Sequence, residues 1–197
     1  RMWAHLWPWR VEEEIPIGHI TNGVHIPTWL AYPMVQLYDK YLGTEWHTRM
    51  GEPDIWQKIY AVDPGELWET HNALKSRLLE FVRRRVSRQS RRRNEDPAII
   101  EAARTVLDPN ALTIGFARRF ATYKRAALLL SQADRLHALL ADVDRPIQFV
   151  FAGKAHPADD SGKELIRQIV AFSHGVEVRT RFMFVEDYDM ALARALV

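Results

Sequence analysis

Cysteine is absent from this 197-residue chain, so structural disulfides and thiolate metal sites are excluded. A reducing, cytoplasmic compartment fits that composition. Long apolar runs are absent too, and nothing approaches the roughly 20 residues of a membrane span. A marked excess of either charge is absent as well. The chain carries 27 Lys and Arg against 25 Asp and Glu, and a formal net charge of +2 does not by itself imply a nucleic-acid partner. There is no G-x-G-x-x-G, no Walker sequence and no nucleophile elbow, and the histidines lack the spacing of a metal site. Internal repeats and low-complexity tracts are also missing.

What is present suffices for one sizeable core or a domain and a half, because 47% of the residues are hydrophobic. Trp3, Trp7 and Trp9 make neither a signal peptide nor a comfortable exposed tail, so they are expected to bury against something. Met190 to Val197 stops inside an apolar helical pattern without a cap. Both ends read as cut, which makes the chain an internal piece of a longer protein.

Residues 12–29 are punctuated by Pro and Gly, and Asn22-Gly23 is a strong turn signal. Residues 28–60 alternate short helical patterns with breaks at Gly43, Gly51 and Pro53. From Pro64 one long helix is expected, with Leu67, Leu74, Leu78, Leu79 and Val82 facing a core. Its far end carries Arg83, Arg84, Arg85, Arg88, Arg91, Arg92 and Arg93, and Asn94-Glu95-Asp96-Pro97 ends it.

A βαβ regime begins near Leu112. A buried strand over 112–116 is expected to lead directly into a helix over 123–141, followed by a strand over 147–151 and a helix over 159–174. Val176–Thr180 and Phe182–Val185 read as extended, and a further helix runs from about Asp187. The fold class is α/β with a Rossmann-like parallel sheet and flanking helices. In such a sheet the loops after the strands share one edge. The first loop brings Arg118, Arg119, Tyr123 and Lys124, the second Gly153, Lys154 and His156, and the third Glu186, Asp187 and Tyr188.

Arg119 and Lys124 stand five apart across the strand-to-helix turn, a spacing that lets two cations grip one anion from different sides. The helix dipole would add to their field, so phosphate chemistry is the leading reading. A run such as Arg83–Arg93 could instead form a nucleic-acid patch. It lacks interleaved aromatics for base stacking, and charge at a helix C-terminus is usually a solvated face.

Four segments resemble the α-glucan (glycogen, starch and maltodextrin) phosphorylases, in that family's order. They are Ile20-Thr21-Asn22-Gly23 with Trp29, Arg118-Arg119 with Tyr123-Lys124-Arg125, Phe151-Ala152-Gly153-Lys154-Ala155 with Pro157, and Phe184-Val185-Glu186-Asp187-Tyr188 with Leu192-Ala193. The resemblance implies a GT-B fold of two Rossmann-like domains facing a cleft. Residues 1–29 would then end the N-terminal domain and form the interdomain segment. Residues 30–110 would lead into the C-terminal domain, and 111–197 would be its truncated first part. Pyridoxal phosphate would be the cofactor, acting through its phosphate group. The reaction would be phosphorolysis of a terminal α-1,4-glucosyl unit by inorganic phosphate, giving glucose 1-phosphate with retention.

By position in the family motifs, Arg119 and Lys124 would bind the substrate phosphate, and Asn22 and Tyr123 the glucosyl unit. Arg118, where the family usually has Lys, would contact the cofactor phosphate, and Trp29 and Tyr188 would line the cofactor pocket. Val24-His25-Ile26-Pro27-Thr28 lacks the paired Arg of the muscle-type enzymes, which points to the shorter bacterial or archaeal branch. The Schiff-base lysine and the His-containing N-terminal domain would lie outside these residues, so the isolated chain is expected to be inactive. The resemblance implies no nucleic-acid or membrane partner and no metal, and a homodimeric parent.

Nucleotide-sugar glucosyltransferases such as starch and glycogen synthases share the GT-B fold and use Arg and Lys at the same spacing. Gly153-Lys154-Ala155 and Glu186-Asp187-Tyr188 favour the phosphorylases. A third reading is a non-catalytic glucan-binding relic, against which the joint presence of Arg119, Tyr123 and Lys124 argues.

Overall fold

Proline placement organises the first half of the chain, seen in a computed structural model that describes residues 3–197. Helices α1 (Ile26–Trp29), α2 (Tyr32–Leu42), α3 (Pro53–Gln57), α4 (Pro64–Arg92) and α5 (Pro97–Ala102) each carry a proline in their first turn. A fixed φ and a missing N–H cost nothing there. Asp63 and Asp96 cap α4 and α5 by accepting from the Glu66 and Ala98 amides. Gly43, at φ 83°, ends α2. Leu42, Trp46 and Ile55 form a small buried cluster under α2 and α3, against which Tyr38 and Trp56 pack edge-on. The Trp46 indole N–H is satisfied by Asp39 at 2.9 Å.

Upstream of α1 two expectations are not met. Trp3 and Trp9 are exposed, and only Trp7 is half-buried. Neither Asn22 nor Gly23 adopts positive φ. An Asn-Gly pair makes a tight turn when flanking strands pair across it, and none flank it here.

Helix α4 is about 43 Å long at 1.5 Å per residue. Only its second half meets the sheet: Leu79 and Val82 are buried, whereas Leu67, expected in the core stripe, is 43% exposed. The first half is held to α2 by Glu66, which bonds Lys40 and Tyr41.

Strands β1 (Leu112–Ala117), β2 (Ile147–Ala152) and β3 (Phe182–Val185) form a parallel sheet in the order β1-β2-β3. Helices α6 (Ala133–Ala141) and α7 (Asp160–Ser173) make the crossovers, and α8 (Met190–Leu196) follows β3. Alternation along the strands separates two faces. Phe149, Phe151, Phe182 and Phe184 pack with Phe120, Leu136, Leu140 and Ile169 on the α6/α7 side. Val150, Ala152, Met183 and Val185 pack with Leu79, Val82 and Leu192 on the α4/α8 side. Gln148 is fully buried on β2 and fully used, bonding the backbone of Asp108 and the Thr113 hydroxyl.

Three details differ from the sequence-based expectations. β1 is not buried. It is an edge strand, and Leu112 is 62% exposed. The helix after it does not start at 123. Arg125 takes a left-handed φ of 55°, the chain continues as 3₁₀ turns over Ala126–Gln132, and the α-helix starts only at Ala133. Val176–Thr180 is a series of turns, with Val178 and Arg179 bonding back to the Gly175 carbonyl.

Candidate functional site

The strand register brings the expected loops together. Ala117, Ala152 and Val185 lie abreast, so Arg118, Gly153 and Glu186 leave the same edge of the sheet, with about 4.8 Å between neighbouring strands. The first two loops touch. Phe120 donates its amide to the Lys154 carbonyl at 3.0 Å. A Cβ placed on Gly153, whose φ is +154°, would sit 2.1 Å from the Arg118 carbonyl oxygen. Only glycine permits that crossing. Phe120 is fully buried in the phenylalanine cluster and anchors the turn from below. Arg118, Arg119 and Tyr123 remain exposed on it, and Lys124 is half-buried with Nζ 4.5 Å from the Tyr123 ring.

Electrostatics divides the edge. The acids of the third loop are already neutralised. Asp187 accepts from Arg92 at 2.5 Å, Glu186 from Arg92 at 3.2 Å and from Arg93, and Asp189 from Arg85. The Arg92 hydrogen bond and charge hold the Asp187 carboxyl below the usual carboxylate range, and Arg85 and Lys154 add to the effect. The Leu192 amide and then Arg85 do the same for Asp189. Among the described residues, Arg118, Arg119, Lys124 and Lys154 have no carboxylate within ion-pair distance. The basic end of α4 is therefore mixed: Arg84, Arg88 and Arg91 are the solvated face that its composition suggests, whereas Arg85, Arg92 and Arg93 hold the third loop. Arg83 also points inward, donating to the carbonyls of Val106 and Leu107 at 2.8 and 2.7 Å.

The other expected site residues are distributed differently. Tyr188 is half-buried against the Leu79–Val82–Leu192 cluster. His156 caps its own loop, accepting from the Ala158 amide. Trp29 lines a separate cavity of about 890 Å³ with Met34, Trp68, Leu112 and Leu196. Asn22 is exposed, and among the described residues no hydrogen bond ties it to the sheet edge. Of the residues that grip the third loop, Gln89 was not singled out from the sequence, and Arg92 and Arg93 were read only as part of a solvated or nucleic-acid-binding basic run. Their signal is a polar stripe at helical spacing inside the basic run.

No group of three His, Asp or Glu suited to a metal occurs among the described residues, and no helix among them is long and apolar enough to cross a membrane. The donor set fits a phosphate-bearing group. Among the described residues, Arg118, Arg119 and Lys124 have no ion-pair partner and stand with Lys154 on two touching loops, beside a backbone crossing that leaves no room for a Cβ.

No family model matches the chain. Curated proteins do. Glycogen phosphorylase of Mycobacterium tuberculosis (strain ATCC 25618 / H37Rv) is 46% identical over 195 residues, 99% of this chain and 22% of that protein. Maltodextrin phosphorylase of Thermococcus litoralis is 40% identical over 196 residues, 100% of this chain and 23% of that protein. Glycogen phosphorylase of Aquifex aeolicus is 41% identical over 197 residues, 100% and 28%. The chain thus spans about a quarter of the length of the curated relatives it matches. The likeness first read in four short segments extends along its whole length.

Proposed function

We propose that this chain is an internal segment of a retaining α-1,4-glucan phosphorylase of the short bacterial or archaeal type, cytoplasmic and homodimeric, that releases glucose 1-phosphate from glucan ends with inorganic phosphate. The observation that carries the reading is the cation cluster at the carboxyl edge of the sheet, unneutralised by the chain itself, in a sequence 40–46% identical throughout to such enzymes. Residues 111–197 would begin the C-terminal half of a GT-B fold, residues 30–110 would lead into it, and residues 1–29 would join it to the other half.

Arg119 and Lys124 would hold the substrate phosphate. The planar fork of Arg fixes two oxygens and the Lys ammonium approaches as a mobile point charge. Their charge opposes that of the phosphate as the glycosidic bond breaks and the sugar becomes cationic. Tyr123, exposed beside Lys124, would offer its hydroxyl to the glucosyl unit, as would Asn22. Arg118 would balance the phosphate of pyridoxal phosphate, with Trp29 and Tyr188 lining its pocket. When bound, that group would supply a second phosphate beside the substrate's. Trp29 must then be brought to the edge by the rest of the protein.

The test uses the protein that carries this chain, incubated with maltoheptaose and inorganic phosphate, with and without pyridoxal phosphate. Glucose 1-phosphate should form only with the cofactor. Lys124→Ala should lower kcat/KM for phosphate by about a hundredfold or more. Glucosyl transfer from a nucleotide-sugar, with no glucose 1-phosphate, would overturn the reading in favour of a synthase.

A further inference from the structure

Arg85, Gln89, Arg92 and Arg93 are spaced i, i+4, i+7 and i+8, and so lie on one face of α4. All four end on the same short stretch of chain, the loop between β3 and α8. We propose that this face is a template that sets the loop, with Gln89, Arg92 and Arg93 as positioning residues for Tyr188.

Gln89 is buried, and its side-chain amide makes two bonds. It accepts from the Glu186 amide at 3.1 Å and donates to the Phe184 carbonyl at 3.3 Å. These are the outward-facing groups flanking Val185, the pair that one residue of a further parallel strand would use. A side chain thus takes the place of one strand residue at the free edge of β3. Just beyond, Arg92 bridges Glu186 and Asp187, Arg93 holds Glu186 from the other side, and Arg85 holds Asp189, the residue that caps α8 through the Leu192 amide.

Asp187 stands at a φ of 56°, a left-handed conformation that a non-glycine residue adopts at a cost. The Arg92 contact offsets that cost. Of residues 186–189, only Tyr188 is not held by α4 through a hydrogen bond or ion pair. Its ring packs on the apolar cluster that α4 and α8 share. Its placement follows from its neighbours being fixed.

The consequence for catalysis rests on the phosphorylase reading, in which Tyr188 lines the cofactor pocket. Arg92 is largely exposed, so its replacement leaves the core intact. In the full-length protein, Arg92→Gln should raise amide exchange at residues 186–189 about tenfold and leave the thermal midpoint within about 2 °C. The pyridoxal phosphate concentration that half-reactivates the apoenzyme should rise about tenfold, with KM for maltoheptaose unchanged. Arg92→Lys should recover part of both losses, because one of the two bridged carboxylates is regained. Asp187→Asn, which tolerates the left-handed conformation but loses the charge, should reproduce them. Unchanged exchange in Arg92→Gln would overturn the template, and faster exchange with unaltered cofactor binding would overturn the positioning role. If the wild-type protein made no glucose 1-phosphate, the phosphorylase reading would fail, while the exchange measurement would still decide whether α4 holds the loop.

Discussion

Arg83, Arg85, Arg92 and Arg93 on α4 all terminate on oxygen atoms of the same chain, whereas Arg118, Arg119 and Lys124 after β1 have no carboxylate within ion-pair distance among the described residues. Both regions are dense in cations, and the α4 run is the denser. Density of charge therefore does not mark the site. What marks it is the absence of an ion-pair partner among the described residues where several cations meet on two touching loops at the sheet edge. Arg88 and Arg91 on α4 are also exposed without such a partner, so the absence alone marks nothing. A cation whose partner is a buried carbonyl or a strapped-down acid is committed to the fold, and one left facing solvent beside others of its sign is available to an external anion.

The sharpest way to break the comparison is to remove one residue from each region. Arg119→Ala should lower kcat/KM for phosphate about a hundredfold or more while urea unfolding stays within about 0.5 kcal/mol of wild type. Arg83→Ala should do the reverse. Two backbone carbonyls lose a charged donor, so stability should fall by about 2–3 kcal/mol with the folded fraction keeping its phosphate affinity. A large stability loss in the first variant, or a pure activity loss in the second, would dissolve the distinction.

Much of this was legible in the sequence because local patterns carried it. Pro64 at the start of α4 and the strand runs over 147–151 and Phe182–Val185 all announce themselves within a few residues, whereas Pro53 and Pro97, read as a break and an end, begin helices. What was not legible depends on distant partners. That Arg85, Arg92 and Arg93 are neutralised requires Glu186, Asp187 and Asp189, about a hundred residues on. That β1 is exposed depends on its place at the sheet edge, which no residue of Leu112–Ala117 encodes. The break at Arg125 falls in a stretch rich in Ala and Leu, whose helical propensity is overridden where the turn must seat Phe120 and Ala126 in the core.

A smaller effect follows from acid. The Asp187 and Asp189 carboxyls are both held below their ordinary range. A carboxyl with a lowered folded-state value stabilises fully above its unfolded value, about 3.9, and loses that contribution as the pH falls through the folded one. Acidification below about pH 4 should therefore release the 186–189 loop, read as faster amide exchange there. Replacing Asp187 and Asp189 together by Asn should flatten that dependence. A loop insensitive to acid would mean that Gln89 alone holds it.

The smallest expected effect is the most discriminating control. Arg84 belongs to the same run as Arg83 and Arg85, but its only ion-pair partner among the described residues is Glu80, one turn back on the same helix, at 3.8 Å, with both side chains about two-thirds exposed. A solvated i,i+4 pair contributes at most about 0.5 kcal/mol. Arg84→Ala should thus leave urea unfolding within that margin and activity unchanged. If it cost as much as Arg83→Ala, the worth of an arginine here would come from the summed field of the run and not from the atom on which it ends. The contrast between a committed and an available cation would then lose its physical basis, because each residue would act through the collective charge and not through its own partner.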